Sequence, residues 1–103
     1  MSTNHQSRYS TESYRIMDEK IKEKLTSELS PSTLIIKDQS HLHAAHFEAA
    51  RQGGTHFKVR IVSSQFQGLS RVARHKKVYS ILSELFEIGL HALALETKTP
   101  EEA

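Results

Sequence analysis

Cysteine is absent from the 103 residues. That absence excludes a disulfide framework, a thiolate zinc finger and an iron–sulfur cluster held on this chain's own sulfur. No apolar run of about 18 residues is present, the length a membrane-spanning helix needs, so no bilayer span is expected. Charge of one sign is also scarce: 14 Lys+Arg against 12 Asp+Glu leaves a net +2. That excess is too small to argue nucleic-acid binding by itself. No serine sits in G-x-S-x-G, and there is no P-loop, no G-x-G-x-x-G and no H-E-x-x-H. With neither a cysteine nucleophile nor an evident acid pair, an enzyme is not expected. What the chain has instead is seven histidines. Histidine is then its only soft nitrogen ligand and the only side chain whose unperturbed pKa lies near neutrality.

The length suits one domain, since domains rarely fall below ~50 residues. Residues 1–12 are polar, lack the apolar core of a secretory signal and read as a disordered tail. Residues 13–103 form the domain, and a cytoplasmic protein is expected. Over residues 13–29, Tyr14, Met17, Ile21, Leu25 and Leu29 recur three or four apart, which predicts a helix. Ser30-Pro31 stops it, because proline disfavours the α region for the residue before it. Residues 33–38, with Leu34, Ile35 and Ile36, predict a strand. Over residues 55–63, Phe57, Val59 and Ile61 alternate with His56, Lys58 and Arg60, which predicts a second strand with one wet face. The two should pair antiparallel. The connection, residues 39–54, is far beyond the ~2–5 residues of a hairpin loop, and long loops in compact domains are often functional.

Residues 64–69 read as a turn, and Ser70 as the N-cap of a helix that ends near Ile88, before Gly89. Its apolar stripe is Val72, Val78, Tyr79, Leu82, Leu85 and Phe86. Residues 90–97 predict a third strand, with His91, Leu93 and Leu95 on one side. Thr99-Pro100-Glu101-Glu102 has the form of a helix start. The order is α-β-β-α-β. A right-handed crossover places strands two and three parallel. The expected class is α+β, a three-stranded mixed sheet with helices on one face.

The histidines divide by place. His41, His43 and His46 share the long loop, where H-x-H and H-x-x-H spacings can bring two imidazoles to one ion; a solvated, histidine-rich loop is the alternative. His56 falls on the wet face beside Lys58 and Arg60 and reads as a surface residue. His75 falls at the centre of the stripe Val72, Tyr79, Leu82 and Phe86, which reads as a packed histidine with its nitrogens satisfied. His91, at the rim of the core, is either a hydrogen-bonded edge residue or a ligand with one ring nitrogen exposed. The second long helix starts with Arg71, Arg74, Lys76 and Lys77 and ends with Glu84 and Glu87. This opposes the helix macrodipole, at some tenths of a kcal/mol per charge. An anion-attracting helix start, or a solvated basic face, accounts for it.

Three segments together resemble the BolA family: Asp38-Gln39-Ser40-His41-Leu42-His43-Ala44-Ala45-His46; Thr55-His56-Phe57-Lys58-Val59 on through Phe66-Gln67-Gly68-Leu69-Ser70 to Arg74-His75-Lys76 and Val78-Tyr79; and Gly89-Leu90-His91-Ala92-Leu93-Ala94-Leu95 followed by Thr99-Pro100-Glu101-Glu102. Gln39, where the family usually has Glu, and Lys76, where Arg is commoner, depart from it. The resemblance implies a class II KH-like fold, in which a short extra helical turn can precede the long second helix. It implies a monomer that pairs with a monothiol glutaredoxin and shares a [2Fe-2S] cluster with it. Thiolates would come from the partner and from glutathione, and imidazoles from His91 and from His43 or, alternatively, His46. Imidazole in place of thiolate raises a cluster's potential. The resemblance also implies DNA contact and transcription regulation in cell morphology and stress response, to which Arg71, Arg74, Lys76 and Lys77 would contribute.

Overall fold

Four buried apolar residues on one side of a 17-residue helix set the first layer. The computed structural model describes residues 13–43 and 53–103. Within them α1 spans Ser13–Leu29, and Met17, Ile21, Leu25 and Leu29 are buried along it. The helix ends in a left-handed cap. Ser30 has φ 42°, and its N–H donates to the Thr26 carbonyl at 3.1 Å, which satisfies one of the carbonyls a helix end leaves open. Expected tail residues 1–12 and the loop position His46 lie outside the described residues.

Strand β1 spans Thr33–Asp38 and β2 spans His56–Val62; they pair antiparallel with Leu34 opposite Ile61 and Ile36 opposite Val59. Strand β3, Ala92–Lys98, pairs parallel with β2, Phe57 opposite Leu93 and Val59 opposite Leu95. The sheet order is β1-β2-β3, the mixed three-stranded sheet expected. Phe57, Val59, Ile61 and Leu93 share one core with the apolar side of α1. The parallel pairing follows from the right-handed crossover and the helix-covered face from alternation at period two, as read from the sequence.

The connection from β2 to β3 differs in detail. Ser64–Phe66 is a 3-10 turn whose cap, Ser63, accepts from the Gln65 N–H and donates to the Leu29 carbonyl at 2.7 Å. This is the short extra turn the resemblance allowed. Helix α2 spans Arg71–Ile81, with Ser70 accepting from the Ala73 N–H as expected of an N-cap. The single helix expected to Ile88 is instead broken at Leu82 (φ −96°, ψ 10°), and α3 spans Ser83–Glu87. The break turns Leu85 into the core beside Leu82, and the Lys24–Glu84 ion pair at 3.0 Å joins α3 to α1. The expected stripe is also corrected. Val72 is 63% exposed while Val78, Leu82 and Leu85 are buried. At about 100° per residue, Val72 and Val78 lie about 120° apart and cannot share one face.

Gly89 closes α3 at φ +136°, a conformation that side chains rarely adopt. The Leu90 N–H reaches back to the Leu85 carbonyl at 2.9 Å, and both side chains are buried, the pairing that accompanies a Schellman end. Leu90 is therefore spent on the helix end, and β3 starts at Ala92 rather than at residue 90. No helix among the described residues is long and apolar enough to cross a membrane.

Candidate functional site

The long loop leaves β1 and returns to β2 through a closed polar base. Asp38 Oδ1 accepts from the Ser40 N–H at 2.9 Å and from the Ser40 hydroxyl at 2.5 Å, while Asp38 Oδ2 accepts from the Gly54 N–H at 2.9 Å. Ser40 Oγ in turn accepts from the N–H groups of Thr55 and His56 at 3.0 and 3.1 Å. Ser40 is 1% exposed. One carboxylate and one hydroxyl thus satisfy backbone donors from both ends of the loop, which is how buried polar groups must be arranged. The Asp38 charge is felt on α1, where Asp18 is raised above the ordinary 3.8, chiefly by burial and next by Asp38.

From this base the chain enters the 3-10 turn Ser40–His43. The Leu42 N–H donates to the Gln39 carbonyl at 3.0 Å, and the Gln39 N–H to the His56 carbonyl at 2.7 Å. The backbone of His43 is therefore carried on an element packed against the start of β2. His41 is exposed.

Across the sheet, the Thr55 carbonyl accepts from both the His91 and Ala92 N–H groups, at 2.7 and 3.0 Å. This pins the entrance of β3. His91 precedes the first residue of the strand, and its side chain is exposed. Its ring centroid lies 5.0 Å from that of His56, the planes tilted by 47°. His91 thus lies at the entrance of β3.

His56 is a correction. It was expected on a wet surface, yet it is 8% exposed. Alternation does put it on the outer side of β2, but the first residue of that strand lies under the Ser40 turn and beside His91. Its Nδ1 lies 2.8 Å from Thr55 Oγ1, which donates to Ser40 Oγ at 3.1 Å. Asp38, Ser40, Thr55 and His56 form one bonded base, and the sequence did not show that these four meet. The signal available was Asp38-x-Ser40, the spacing of an Asx turn.

His75 is the second correction. It is half-buried, but its Nε2 is buried without a partner, and so is the hydroxyl of Thr97. The expectation that its nitrogens are satisfied fails at Nε2, because no donor or acceptor among the described residues, the Thr97 hydroxyl included, lies within bonding distance of it.

The four basic residues of α2 separate. Arg71, Lys76 and Lys77 are exposed. Arg74, whose side chain is 11% exposed, is already engaged: it donates to Glu102 at 2.6 and 3.1 Å, to the Leu69 carbonyl at 2.9 Å and to the Thr97 carbonyl at 3.4 Å. The Arg74 guanidinium holds the Glu102 carboxyl down at about 2. Arg74 therefore ties α2 to the turn after β3.

The structure brings His91, His56 and the His43-bearing turn to one corner. Among the described residues no group of three or more His, Cys, Asp or Glu could hold a metal ion. The corner offers imidazole nitrogen, a donor that suits zinc, iron, copper and nickel.

Comparison with known proteins places these features in a family context. The family model described as "BolA-like protein" matches residues 25–102. Protein BOLA1, chloroplastic, of Arabidopsis thaliana is 44% identical over 86 residues, 82% of this chain and 54% of that protein. The DNA-binding transcriptional regulator BolA of Haemophilus influenzae is 40% identical over 82 residues, 80% of this chain and 76% of that protein. Among solved structures, the BolA domain of SufE1 from Arabidopsis thaliana superposes with a TM-score of 0.75 at 46% identity, covering 82% of this chain and 93% of that one.

Proposed function

The chain belongs to the BolA-like protein family, and from that premise we propose that it is a non-enzymatic, cytoplasmic adaptor that binds a monothiol glutaredoxin and shares a [2Fe-2S] cluster with it. His91 and a loop histidine, His43 or alternatively His46, are the ligands on this side. The partner and glutathione contribute the thiolates. The observation that carries the reading is the exposed His91 ring, seated at the mouth of β3 by the Thr55 carbonyl and facing the corner where the His43-bearing turn packs. Bound there, the cluster supplies a redox centre whose potential imidazole ligation raises.

The chain's own residues do the positioning. Thr55 holds the His91 backbone, and Asp38 and Ser40 hold both ends of the loop that brings the second imidazole. Pre-organised ligands lower the ordering cost of binding. Reconstitution of the full chain with a monothiol glutaredoxin, iron, sulfide and glutathione tests the reading. The mixed complex should show a visible spectrum distinct from that of glutaredoxin alone, and His91→Ala should abolish the difference. An unchanged spectrum on mixing overturns it. His43→Ala and His46→Ala, compared side by side, identify the loop ligand.

A second reading, a DNA-binding regulator, is favoured by the exposed cations Arg71, Lys76 and Lys77 and by the printed name of the Haemophilus influenzae relative. Binding to duplex DNA should then fall steeply with salt and flatten when these three are neutralised together. Unchanged binding in that triple variant counts against it.

A further inference from the structure

The two edges of the sheet are treated differently. On β3, side chains of α2 take two carbonyls: the Tyr79 hydroxyl donates to that of Leu93 at 2.8 Å, and Arg74 donates to that of Thr97 at 3.4 Å. Strand β1 is the opposite edge. The Gln39 N–H turns inward to the His56 carbonyl, and antiparallel bonds alternate along a strand. In the regular register of β1, the N–H and C=O groups of Leu34 and Ile36 therefore face away from β2. Among the described residues nothing bonds them from that side. Open backbone groups in a row are a template for an added strand.

The side chains along this edge select the class of partner. Leu34 and Ile36, on the helix-covered side, are only partly buried against the core, so an added strand would extend that apolar layer. On the open face Ile35 is 44% exposed. Beside it Lys37 and Lys58 stand directly opposite each other in the register, and both are exposed. Like charges placed so are destabilising. Neither lysine has a carboxylate within ion-pair distance among the described residues, and Glu96, on the same face, is taken by Arg60 at 2.8 Å. The edge is thus apolar in its middle and uncompensated positive at its end.

We propose that the free edge of β1 takes up an extended acidic segment of another protein as a fourth strand. Its backbone bonds to Leu34 and Ile36, and a carboxylate on it lies beside Lys37 and Lys58. Side chains alternate along a strand, so the residue beside Ile35 is two positions from that carboxylate, and the one between them joins the core side. Charge argues against a second copy as the occupant. Pairing β1 with its own twin would gather Lys37 and Lys58 of both copies on one face, the repulsion by which edge lysines keep like chains apart. The proposal uses neither His91 nor the cations of α2, so it stands apart from both functional readings.

The test is an NMR titration of the full isotope-labelled chain, at constant ionic strength, with two end-blocked octapeptides, one alternating valine with glutamate and the other valine with lysine. The glutamate peptide should shift the Leu34 and Ile36 amides along one saturable curve and slow their exchange with solvent. Lys37→Glu should weaken its binding about fivefold and bind the lysine peptide more tightly than wild type does. Lys20→Glu, an exposed position on α1, should leave the affinity unchanged. No saturable shift at these two amides, an equal loss in Lys20→Glu, or equal affinity of wild type for the two peptides overturns the proposal. So does exchange at Leu34 and Ile36 that slows with rising protein concentration in the absence of peptide, which assigns the edge to a second copy.

Discussion

Ser40 shows how much one hydroxyl can organise. It donates to Asp38 and accepts from the N–H groups of Thr55 and His56 while being almost fully buried. Removing it leaves buried backbone donors unpaired, at roughly 1–3 kcal/mol for each unsatisfied group. Ser40→Ala should destabilise the domain by about 2 kcal/mol, read from the denaturant midpoint. The same variant should weaken cluster sharing, because the seat of the His43-bearing turn is lost with it. A midpoint unchanged from wild type contradicts the assignment of Ser40 as the keystone of the loop base. Beyond the Asp38-x-Ser40 spacing of an Asx turn, none of this was legible in the sequence. A serine in a polar loop carries no mark of burial, and it becomes a hub only when the return of the chain at Thr55 brings two more donors to it. His56 was misread for the same reason: alternation describes the sheet and says nothing of what covers the sheet's end.

At the scale of elements, the most legible was α1. Its apolar residues fall at helical spacing, and both of its ends coincide with the reading from periodicity and Ser30-Pro31. What periodicity left out is the cost of the stop. Ser30 sits at φ 42°, where a side chain costs about 1–2 kcal/mol relative to the right-handed region. Glycine there relieves that strain but adds unfolded-state freedom worth roughly 0.5–1 kcal/mol. Ser30→Gly should therefore raise stability by about 0.5 kcal/mol, measured by equilibrium unfolding, and a loss of stability would show that the Ser30 side chain matters in a way the structure does not display. The second helix was legible in extent but not in continuity. Nothing between Ser70 and Gly89 is proline or glycine. The break at Leu82 is imposed by packing, which needs Val78, Leu82 and Leu85 all inside.

For the whole molecule, the Arg74–Glu102 pair is the tie to examine. It joins α2 to the turn after β3, and Glu102 Oε1 also accepts from the Thr99 N–H at 2.9 Å, the reciprocal arm of a capping box. Glu102 titrates at about 2 against an ordinary 4.5, first through its hydrogen bond from Arg74 and then through Thr99. A carboxyl depressed on folding contributes stability that is complete above the ordinary value and is lost as pH falls toward the folded one. The melting temperature should therefore fall between about pH 4.5 and about 2, and Glu102→Gln should flatten that part of the profile. A wild-type profile no steeper than the variant's in this window contradicts the tie. The pair also bears on function, since Arg74, grouped by sequence with three cations available to a phosphate, is committed to holding the fold.

Sequence by itself determined the α+β order, the antiparallel and parallel pairings and the family, because each rests on local periodicity, on cap and stop residues, and on motifs carried in the chain. The resemblance to that family also singled out His91 and His43, with His46 as the alternative, as the expected ligands. Tertiary structure alone decided which polar side chains are buried and what they meet. The Asp38–Ser40–Thr55 base, the burial of His56 beside His91 and the unpartnered His75 and Thr97 each depend on contacts between residues far apart in the chain. Hydrogen bonding and desolvation act through space, so residue spacing along the chain carries no trace of them.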